Sequence, residues 1–325
     1  MKTTVLFNPA ISSLNLGDEI IAQSCKMYLK PFLDKTFVIE FSSHLPITKQ
    51  YMGYIQNETN FFLLGSNLLM SKMNGRFRQW DVSFRNADVL TPTITMGVGW
   101  HRYSKEANRY TKRLYQKLLI HDYYNSVRDR YTEEKLKMAG VSNVLYTACP
   151  TLWSLTPAHC KNIATSKSKD VVCTLTDYAQ KPKIDQKLLR ILLLNYETVF
   201  LWPQGERDRA YFEQLKLDPR VQVVPSSLEA YDELLRKENF DYVGTRLHGG
   251  IRALQQGHRT LIVAIDNRAI ELHENCNLPI ILRENLDELE NKINLDFSTN
   301  ITIPVDNIAK WLKQFDIDYN SVKVG

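Results

Sequence analysis

Short apolar runs alternate along the chain with longer segments in which apolar residues recur every three or four positions. Residues 4–7 form one such run, and after a polar loop Ile20, Ile21 and Cys25 recur at helical spacing. An alternation of strands and helices is typical of parallel sheets covered on both faces. In the first half the pattern predicts strands at 4–7, 36–41, 61–64, 93–96, 124–127 and 144–146, with helices from Asp18 onward and at 102–119 and 132–138.

The second half repeats this alternation after a break. Residues 154–168 are polar and contain Pro157, which is typical of a connection between domains. Ser226 and Glu229 have the spacing of a capping box at the start of a helix. The later pattern predicts strands at 171–174, 198–202, 221–224, 242–243 and 261–265, with helices at 185–194, 207–215, 228–237 and 305–315.

The predicted fold class is α/β, with two doubly wound, Rossmann-like domains that face a cleft. The domains are predicted at 1–155 and 169–300, joined by a linker at 156–168. Residues 301–325 are predicted to form a C-terminal helix and tail that pack back on the body. Ligands of such sheets bind at the carboxyl ends of the strands.

One stretch, Asp241 to Gln255, carries the clearest candidate chemistry. Arg246 and His248 follow a short buried strand and precede a helix predicted from Gly249 onward. A helix N-terminus favours anions, an arginine suits carboxylate or phosphate, and a histidine moves protons near neutral pH. The pattern indicates an anion site with an acid or base beside it; the alternative is a salt-bridged surface arginine next to a helix cap.

The composition restricts the class of protein. A hydrophobic content of 44% and a net charge of +5 fit a globular protein with an anionic substrate, and the charge is too small and dispersed to indicate nucleic acid. The five cysteines form no Cys-x-x-Cys pair and the histidines show no ligand spacing, so we expect reduced thiols and no metal site. The apolar run at the N-terminus is too short for a signal sequence, and a cytoplasmic protein is expected.

Two further segments, residues 97–99 and 102–119, are candidates for a role in binding. Gly97 and Gly99 lack the third small residue of a dinucleotide fingerprint, because Arg102 occupies that position. The basic, tyrosine-rich segment 102–119 is predicted to be an amphipathic helix. It either lies against a membrane surface or a lipid-linked substrate, or covers a sheet and leaves its charges in solvent.

Four short stretches, in this order, resemble the motifs of the polysaccharide pyruvyl transferase family. The resemblance extends from about Asn15 to Glu271. It rests on Asn15-Leu16-Gly17-Asp18, Gly65-Ser66-Asn67, Ser126-Val127-Arg128-Asp129 and Thr245-Arg246-Leu247-His248. Cys149-Pro150 stands where many relatives carry Asp-Pro, and residues 266–269 stand where many have a lysine, which marks a subfamily.

The resemblance implies a fold like that of the GT-B glycosyltransferases and transfer of pyruvate from phosphoenolpyruvate to a sugar of a cell-surface glycan, as a ketal. It implies a donor site that includes Arg246 and Arg128, and a proton donor at His248. No cofactor or metal is expected if arginines neutralise the phosphate. The remaining expected site residues are Leu247 and Gly249 for the donor, Asp18 or Glu271 as base, Asn15, Gly17, Asn67 and Gly97 for the acceptor, and Arg252, Asp266 and Arg268 as further candidates.

Two other functions stay open at this point. A nucleotide-sugar glycosyltransferase would need an acidic residue for the donor ribose, and Asp266 could supply it. A glycan-binding relative without catalysis is the third reading. The expected partners are phosphoenolpyruvate and a glycan or lipid-linked acceptor, with peripheral contact at the inner face of the plasma membrane as a further hypothesis; the sequence does not determine the oligomeric state.

Overall fold

The computed structural model describes residues 2–55, 59–237 and 240–322, which form two compact units. The first unit contains residues through Ser13, Ile21–Trp153 and residues from Ile303 onward. The second contains Leu14–Ile20 and Ser154–Thr302. Residues 323–325 of the predicted tail lie outside the described residues.

The division between the units differs from the predicted domains in two places. The predicted linker 156–168 belongs to the second unit. Leu14–Ile20 also clusters with the second unit, since Asn15 forms an antiparallel bridge to Gly205. The C-terminal segment clusters with the first unit, where the Tyr319 hydroxyl donates to the carbonyl of Trp153 at 2.6 Å.

The first unit is built on parallel strands. Four of them form a sheet in the order β2-β1-β3-β4, and β5 pairs with β6. A parallel bridge between Val98 and Val127 connects β5 to the end of β4. The elements are β1 (Thr3–Asn8), α1 (Leu16–Leu33, whose first residues belong to the second unit), β2 (Phe37–Ser42), α2 (Lys49–Met52), β3 (Thr59–Leu64), α3 (Phe84–Ala87), β4 (Thr93–Met96), α4 (Arg109–Leu119), β5 (Asn125–Val127), α5 (Arg130–Met138), β6 (Val144–Tyr146) and a 3-10 segment (Pro150–Leu152).

The second unit contains a six-stranded parallel sheet with its own core. Its elements are α6 (Pro157–Cys160), β7 (Asp170–Cys173), a 3-10 turn (Asp177–Ala179), α7 (Pro182–Asn195), β8 (Thr198–Leu201), α8 (Asp208–Gln214), β9 (Val221–Val223), α9 (Leu228–Arg236), β10 (Phe240–Gly244), α10 (Leu247–Gln255), β11 (Thr260–Ala264), α11 (Asn267–Cys276), β12 (Ile280–Leu282), a 3-10 segment (Arg283–Glu288) and α12 (Leu289–Asn294). The helices α13 (Val305–Lys313) and α14 (Tyr319–Val322) follow in the first unit.

The strand order of the second sheet determines where a ligand site is expected. The order is β12-β11-β10-β7-β8-β9, so the chain starts in the middle, runs to one edge, and returns to the middle at β10. This is the order of nucleotide-binding Rossmann folds. The order reverses between β7 and β10, and loops that leave these strands in opposite directions open a crevice there.

Three local predictions differ from the structure. Helix α4 begins at Arg109, not at 102 as predicted. Its apolar residues, among them Leu114 and Leu118, are buried in the core of the first unit. The cap of α9 is Ser227, whose hydroxyl accepts from the Ala230 N–H at 3.1 Å, so the predicted capping box at Ser226 is wrong. Helix α10 begins at Leu247, two residues before the predicted start, which puts Arg246 at the N-cap.

Candidate functional site

A pocket of about 370 Å³ lies in the second unit at the carboxyl ends of its strands. Its walls come from the loops that follow β7, β8 and β10, so it sits at the point where the strand order reverses. It is lined by Leu14, Asn15, Asp177, Tyr178, Gly205, Glu206, Arg207 and Arg246. Two residues predicted from the sequence, Asn15 and Arg246, therefore meet in one pocket.

Arg246 is buried and held by two carboxylates. Its side chain is 4% exposed. Nε donates to Oδ2 of Asp208 at 3.0 Å, and Nη2 donates to Oδ1 of Asp177 at 2.9 Å and to Oδ1 of Asp208. The backbone is fixed as well, because its N–H donates to the hydroxyl of Thr174 at 3.1 Å and its carbonyl accepts from Tyr242 at 2.6 Å. The guanidinium therefore has one orientation, at the N-terminus of α10.

Asp208 is the residue that assembles this site, and sequence reasoning missed it. Its side chain is 0% exposed. Besides Arg246, it accepts the backbone N–H of Asp177 at 3.1 Å, of Gln204 at 3.1 Å and of Gly205 at 2.7 Å. One carboxylate thus ties the loops after β7, β8 and β10 together. A weak signal was present, since an aspartate that opens a helix just after a strand-end glycine is typical of a structural acceptor.

This cluster contains two carboxylates and one guanidinium, so its formal charge is negative rather than positive. Burial raises the pKa of Asp208 above its ordinary value, while Arg246 and the backbone N–H groups oppose that change. With both aspartates ionised, Asp177, Asp208 and Arg246 together carry one net negative charge. Of the two carboxylates, Asp177 is the accessible one, with a side chain 20% exposed.

Tyr178 links Arg246 to the end of the next strand. The guanidinium carbon of Arg246 lies 5.1 Å from the centre of the Tyr178 ring, and the guanidinium carbon of Arg268 lies 5.8 Å from the centre of the same ring. Arg268 also donates to the Tyr178 hydroxyl and to Oδ2 of Asp266 at 2.6 Å. Asp266 caps α11 by accepting the Arg268 N–H at 3.0 Å, so both predicted candidates are paired with each other.

The Asn-x-Gly-Asp loop packs on the segment that follows β8. Oδ1 of Asn15 accepts from Nε2 of Gln204 at 2.8 Å, and the Leu16 N–H donates to the carbonyl of Gln204 at 2.9 Å. A Cβ on Gly17 would lie 2.7 Å from the same Nε2, so a larger residue there would have to displace the Gln204 side chain. Asp18 is buried and accepts from Nδ2 of Asn15 at 3.4 Å.

The remaining predicted residues of the second unit lie on two helices. Leu247, His248 and Gly249 are buried in the first turn of α10, where His248 is 5% exposed. Arg252 forms a two-point ion pair with Asp232 of α9, at 2.8 and 2.7 Å.

Glu271 is also buried, and it lies on α11. Its Oε2 accepts from Nδ2 of Asn275 at 3.4 Å.

Arg128 belongs to the first unit, where its guanidinium is enclosed. It is 1% exposed, and Nε and Nη2 donate to Oδ2 of Asp129 at 3.1 and 3.0 Å. The carboxylate of Asp129 also caps α5 by accepting the Thr132 N–H at 2.7 Å. A Cβ on Gly99 would lie 2.5 Å from the Arg128 guanidinium carbon. Arg128 and Asp129 thus form a buried salt bridge within the first unit.

The two predicted acceptor residues of the first unit differ in character. Oδ1 of Asn67 is buried and has no hydrogen-bond partner among the described residues. Gly97 has a φ of +64°, and a Cβ there would lie 2.1 Å from Cδ of Pro150. Backbone conformation and packing therefore require a glycine at position 97 without any ligand.

Other kinds of site were sought along the same chain. Within residues 2–55, 59–237 and 240–322, no three His, Cys, Asp or Glu side chains are grouped so that they could hold a metal ion. None of the described helices is long and apolar enough to cross a membrane. All five cysteines are buried, and none of them forms a disulfide.

Solved structures of two UDP-GlcNAc 2-epimerases and of MnaA share the fold of this chain. The enzyme from Methanocaldococcus jannaschii, in complex with UDP-GlcNAc and UDP, is 10% identical, with a TM-score of 0.53 over 94% of this chain and 95% of that one. MnaA of S. aureus, solved with UDP, is 11% identical, with a TM-score of 0.53 over 92% and 91%. The Rickettsia bellii enzyme is 11% identical, with a TM-score of 0.51 over 97% and 94%. At such identities the likeness concerns the fold alone, which is α/β and GT-B-like.

The sequence comparisons identify the family. Curated protein sequences give no match to this chain. A model of the polysaccharide pyruvyl transferases matches residues 15–267, a range that begins at Asn15 and includes Arg128, Arg246 and His248. The match covers most of the chain, and the protein belongs to the polysaccharide pyruvyl transferase family.

Proposed function

We propose that this protein transfers the pyruvyl group of phosphoenolpyruvate to two hydroxyls of one sugar, in a cell-surface polysaccharide or in its lipid-linked precursor. The product is a cyclic pyruvate ketal. The observation that carries the proposal is the family match over residues 15–267, which contains all four predicted motifs. Two of these motifs meet at the pocket of the second unit, through Asn15 and Arg246.

The proposed reaction consumes one donor and two hydroxyls. The first hydroxyl oxygen bonds to the central carbon of phosphoenolpyruvate while the methylene carbon takes up a proton and becomes a methyl group. The second hydroxyl oxygen then replaces the phosphate at the same carbon, and its proton leaves with inorganic phosphate. The site must therefore bind a carboxylate and a phosphate and move protons to and from a sugar.

Arg246 is the proposed anchor for the anionic donor. It stands at the N-cap of α10, where free N–H groups and the helix dipole favour anions. Since Asp177 and Asp208 already surround it, the donor has to displace one carboxylate. The exposed one is Asp177, held to Arg246 by the bond at 2.9 Å, whereas Asp208 is fixed by three backbone N–H groups. Arg128 is the second proposed donor ligand, on the strength of its family motif.

His248 and Asp18 are the proposed acid and base. His248 follows Arg246 by two residues in the first turn of α10, and a histidine has the pKa range that proton delivery to the methylene requires. Asp18 contacts Asn15, a residue that lines the pocket. Glu271 is the less favoured base, and it lies outside the residues that the family model matches.

The test combines turnover and binding. The purified chain is incubated with phosphoenolpyruvate and a panel of sugar diols, and phosphate release is measured together with the mass of the acceptor. Thermal-shift titrations with phosphoenolpyruvate and with UDP-sugars report which donor stabilises the native state. Stabilisation by UDP-sugars alone would replace the proposal with a nucleotide-sugar transferase, and a glycan that binds without turnover would indicate a non-catalytic relative.

Two variants connect the result to the site. Arg246→Ala removes the guanidinium but leaves Asp208 buried without its partner, so Arg246→Lys is measured beside it. Arg190→Ala, an exposed arginine on α7, is the matched control. We expect loss of the phosphoenolpyruvate response in both Arg246 variants and an unchanged response in the control.

A further inference from the structure

The first unit has a second pocket, which the proposed reaction does not use. Its volume is about 300 Å³, and most of its wall is apolar surface. Met70 and Trp100 contribute the large apolar side chains, and three exposed cations stand around them: Lys72, Arg102 and Lys105. This arrangement, an apolar hollow within a basic rim, matches an amphiphile whose head is anionic.

Hydrogen bonds hold the walls of this pocket in place. The two segments of the wall, 70–72 and 100–106, meet at Ser71. The Ser71 hydroxyl contacts the Ser104 hydroxyl at 2.6 Å and donates to the carbonyl of Lys105 at 2.8 Å. The indole N–H of Trp100 donates to the Ser104 hydroxyl at 2.9 Å, and the Tyr131 hydroxyl accepts the Ser104 N–H at 2.8 Å. The polar groups of the two wall segments are therefore satisfied within the wall.

The cations of the rim are not explained by pairing. Among the described residues, Lys72, Arg102 and Lys105 have no salt bridge, nor does Arg109 at the start of α4. A cation at a helix N-terminus opposes the helix dipole, so the charge of Arg109 is unfavourable for α4 itself. The acidic residue of the pocket, Glu106, is already neutralised by Lys112 at 2.9 Å. The patch therefore presents uncompensated positive charge.

An exposed aromatic ring extends the apolar surface beside the rim. Phe77 is 57% exposed, and its ring centre lies 5.7 Å from that of His101, a residue of the pocket wall. Interfacial binding surfaces combine such rings with lysine and arginine. Of the two alternatives for segment 102–119, the structure agrees with the helix that covers a sheet, because the apolar face of α4 is buried in the core and cannot enter a bilayer.

We infer that this pocket and its basic rim dock the first unit on an anionic phospholipid surface, with phosphate headgroups at Lys72, Arg102 and Lys105 and apolar lipid atoms in the hollow. Juxtaposed lysines and arginines are drawn to anionic headgroups within a Debye length, and the apolar wall adds a contribution that salt does not screen. Vesicle binding is measured without phosphoenolpyruvate, so its outcome is distinguishable from that of the proposed reaction.

The experiment is flotation of the full chain with vesicles of phosphatidylcholine alone and with vesicles of equal parts phosphatidylcholine and phosphatidylglycerol. The test variant is Lys72→Ala/Arg102→Ala/Lys105→Ala. Its control, Lys183→Ala/Arg190→Ala/Lys216→Ala, removes the same charge from exposed positions of the second unit. Each cation of the rim should raise the partition coefficient onto anionic vesicles about fivefold. The test variant, which lacks three cations, should therefore have a partition coefficient on the order of 100-fold lower than that of the wild type.

The apolar part has its own variant. Phe77→Ser should weaken binding severalfold at high salt, whereas Phe37→Ser, which alters a ring of similar exposure on β2, should not. Three results would each overturn the inference: equal loss of vesicle binding in the test variant and its control, equal binding of the wild type to neutral and anionic vesicles, or no flotation of the wild type. Binding of soluble glycerol phosphate without flotation would also overturn it, because the rim would then serve a free phosphate.

Discussion

Asp208 and Arg246 form a buried ion pair across 38 positions of the sequence, with Nε of Arg246 at 3.0 Å from Oδ2 of Asp208. The pair joins the start of α8 to the start of α10, and through the backbone N–H of Asp177 it also holds the loop after β7. The orientation of the predicted anion-binding arginine thus depends on a residue outside every family motif that the sequence analysis used.

Asp208→Asn should destabilise the protein by about 3 kcal/mol, at the lower end of the cost of breaking a buried ion pair, because Arg246 loses its buried carboxylate and keeps Asp177 as a charge partner. The free energy of unfolding from urea denaturation measures this. The control is Asp218→Asn, which removes an aspartate from the surface pair with Arg220 and should leave stability close to that of the wild type. Equal stability of the two variants would mean that the buried pair is not what holds the three loops.

Asp177→Asn should tighten the binding of phosphoenolpyruvate on the order of tenfold, because a neutral amide oxygen competes for Nη2 of Arg246 less strongly than a carboxylate does. Calorimetric titration at fixed ionic strength measures the Kd. Glu206→Gln is the control, since it removes one negative charge from the same pocket without touching Arg246. A weaker Kd in Asp177→Asn would reject the displacement, whereas absence of binding in wild type and variant alike would reject the donor itself.

Gly97→Ala should destabilise the protein by about 2–4 kcal/mol, as the sum of a left-handed backbone and a crowded Cβ. The control is Gly257→Ala: its φ of +85° is also positive, but a Cβ there meets nothing within 4 Å. The control isolates the backbone contribution, at about 1–2 kcal/mol. Similar values for both variants in urea denaturation would show that Pro150 yields to the added atom.

Stability should fall as the pH drops below about 6.5, through His121. Burial lowers the pKa of His121, and its ring is fixed as a neutral tautomer: Nε2 contacts the Thr93 carbonyl at 2.9 Å and Nδ1 accepts the Tyr123 N–H at 3.1 Å. The unfolded chain therefore binds a proton at His121 more readily than the folded chain does. The stability that the neutral His121 ring contributes is present at high pH and is lost on acidification.

Urea denaturation between pH 8 and pH 5 tests this, with His121→Asn as the variant. Asp208, whose pKa is raised by burial, is present in both proteins, so the difference between the two pH profiles reports His121. The variant should be less stable than the wild type at pH 8 and should have a flatter pH profile. A profile parallel to that of the wild type would assign the pH dependence to another group.

Local pattern determined the elements and the family. The alternation of apolar runs and helical spacing predicted most strands, including the one that ends before Thr245, because burial on both faces of a parallel sheet demands unbroken apolar runs. The four short motifs predicted the polysaccharide pyruvyl transferase family, and the match over residues 15–267 confirms it. The α/β, GT-B-like fold class was likewise confirmed.

Only the tertiary structure decided which charges meet. Sequence placed Arg246 at a strand end but named neither Asp177 nor Asp208, which lie 69 and 38 positions away. It assigned Leu14–Ile20 to the first domain, although that loop packs on Gln204 of the second unit. The physical reason is that periodicity reports how a segment is buried, whereas the partner of a side chain follows from the order of strands in a sheet, and that order is set by contacts between distant segments.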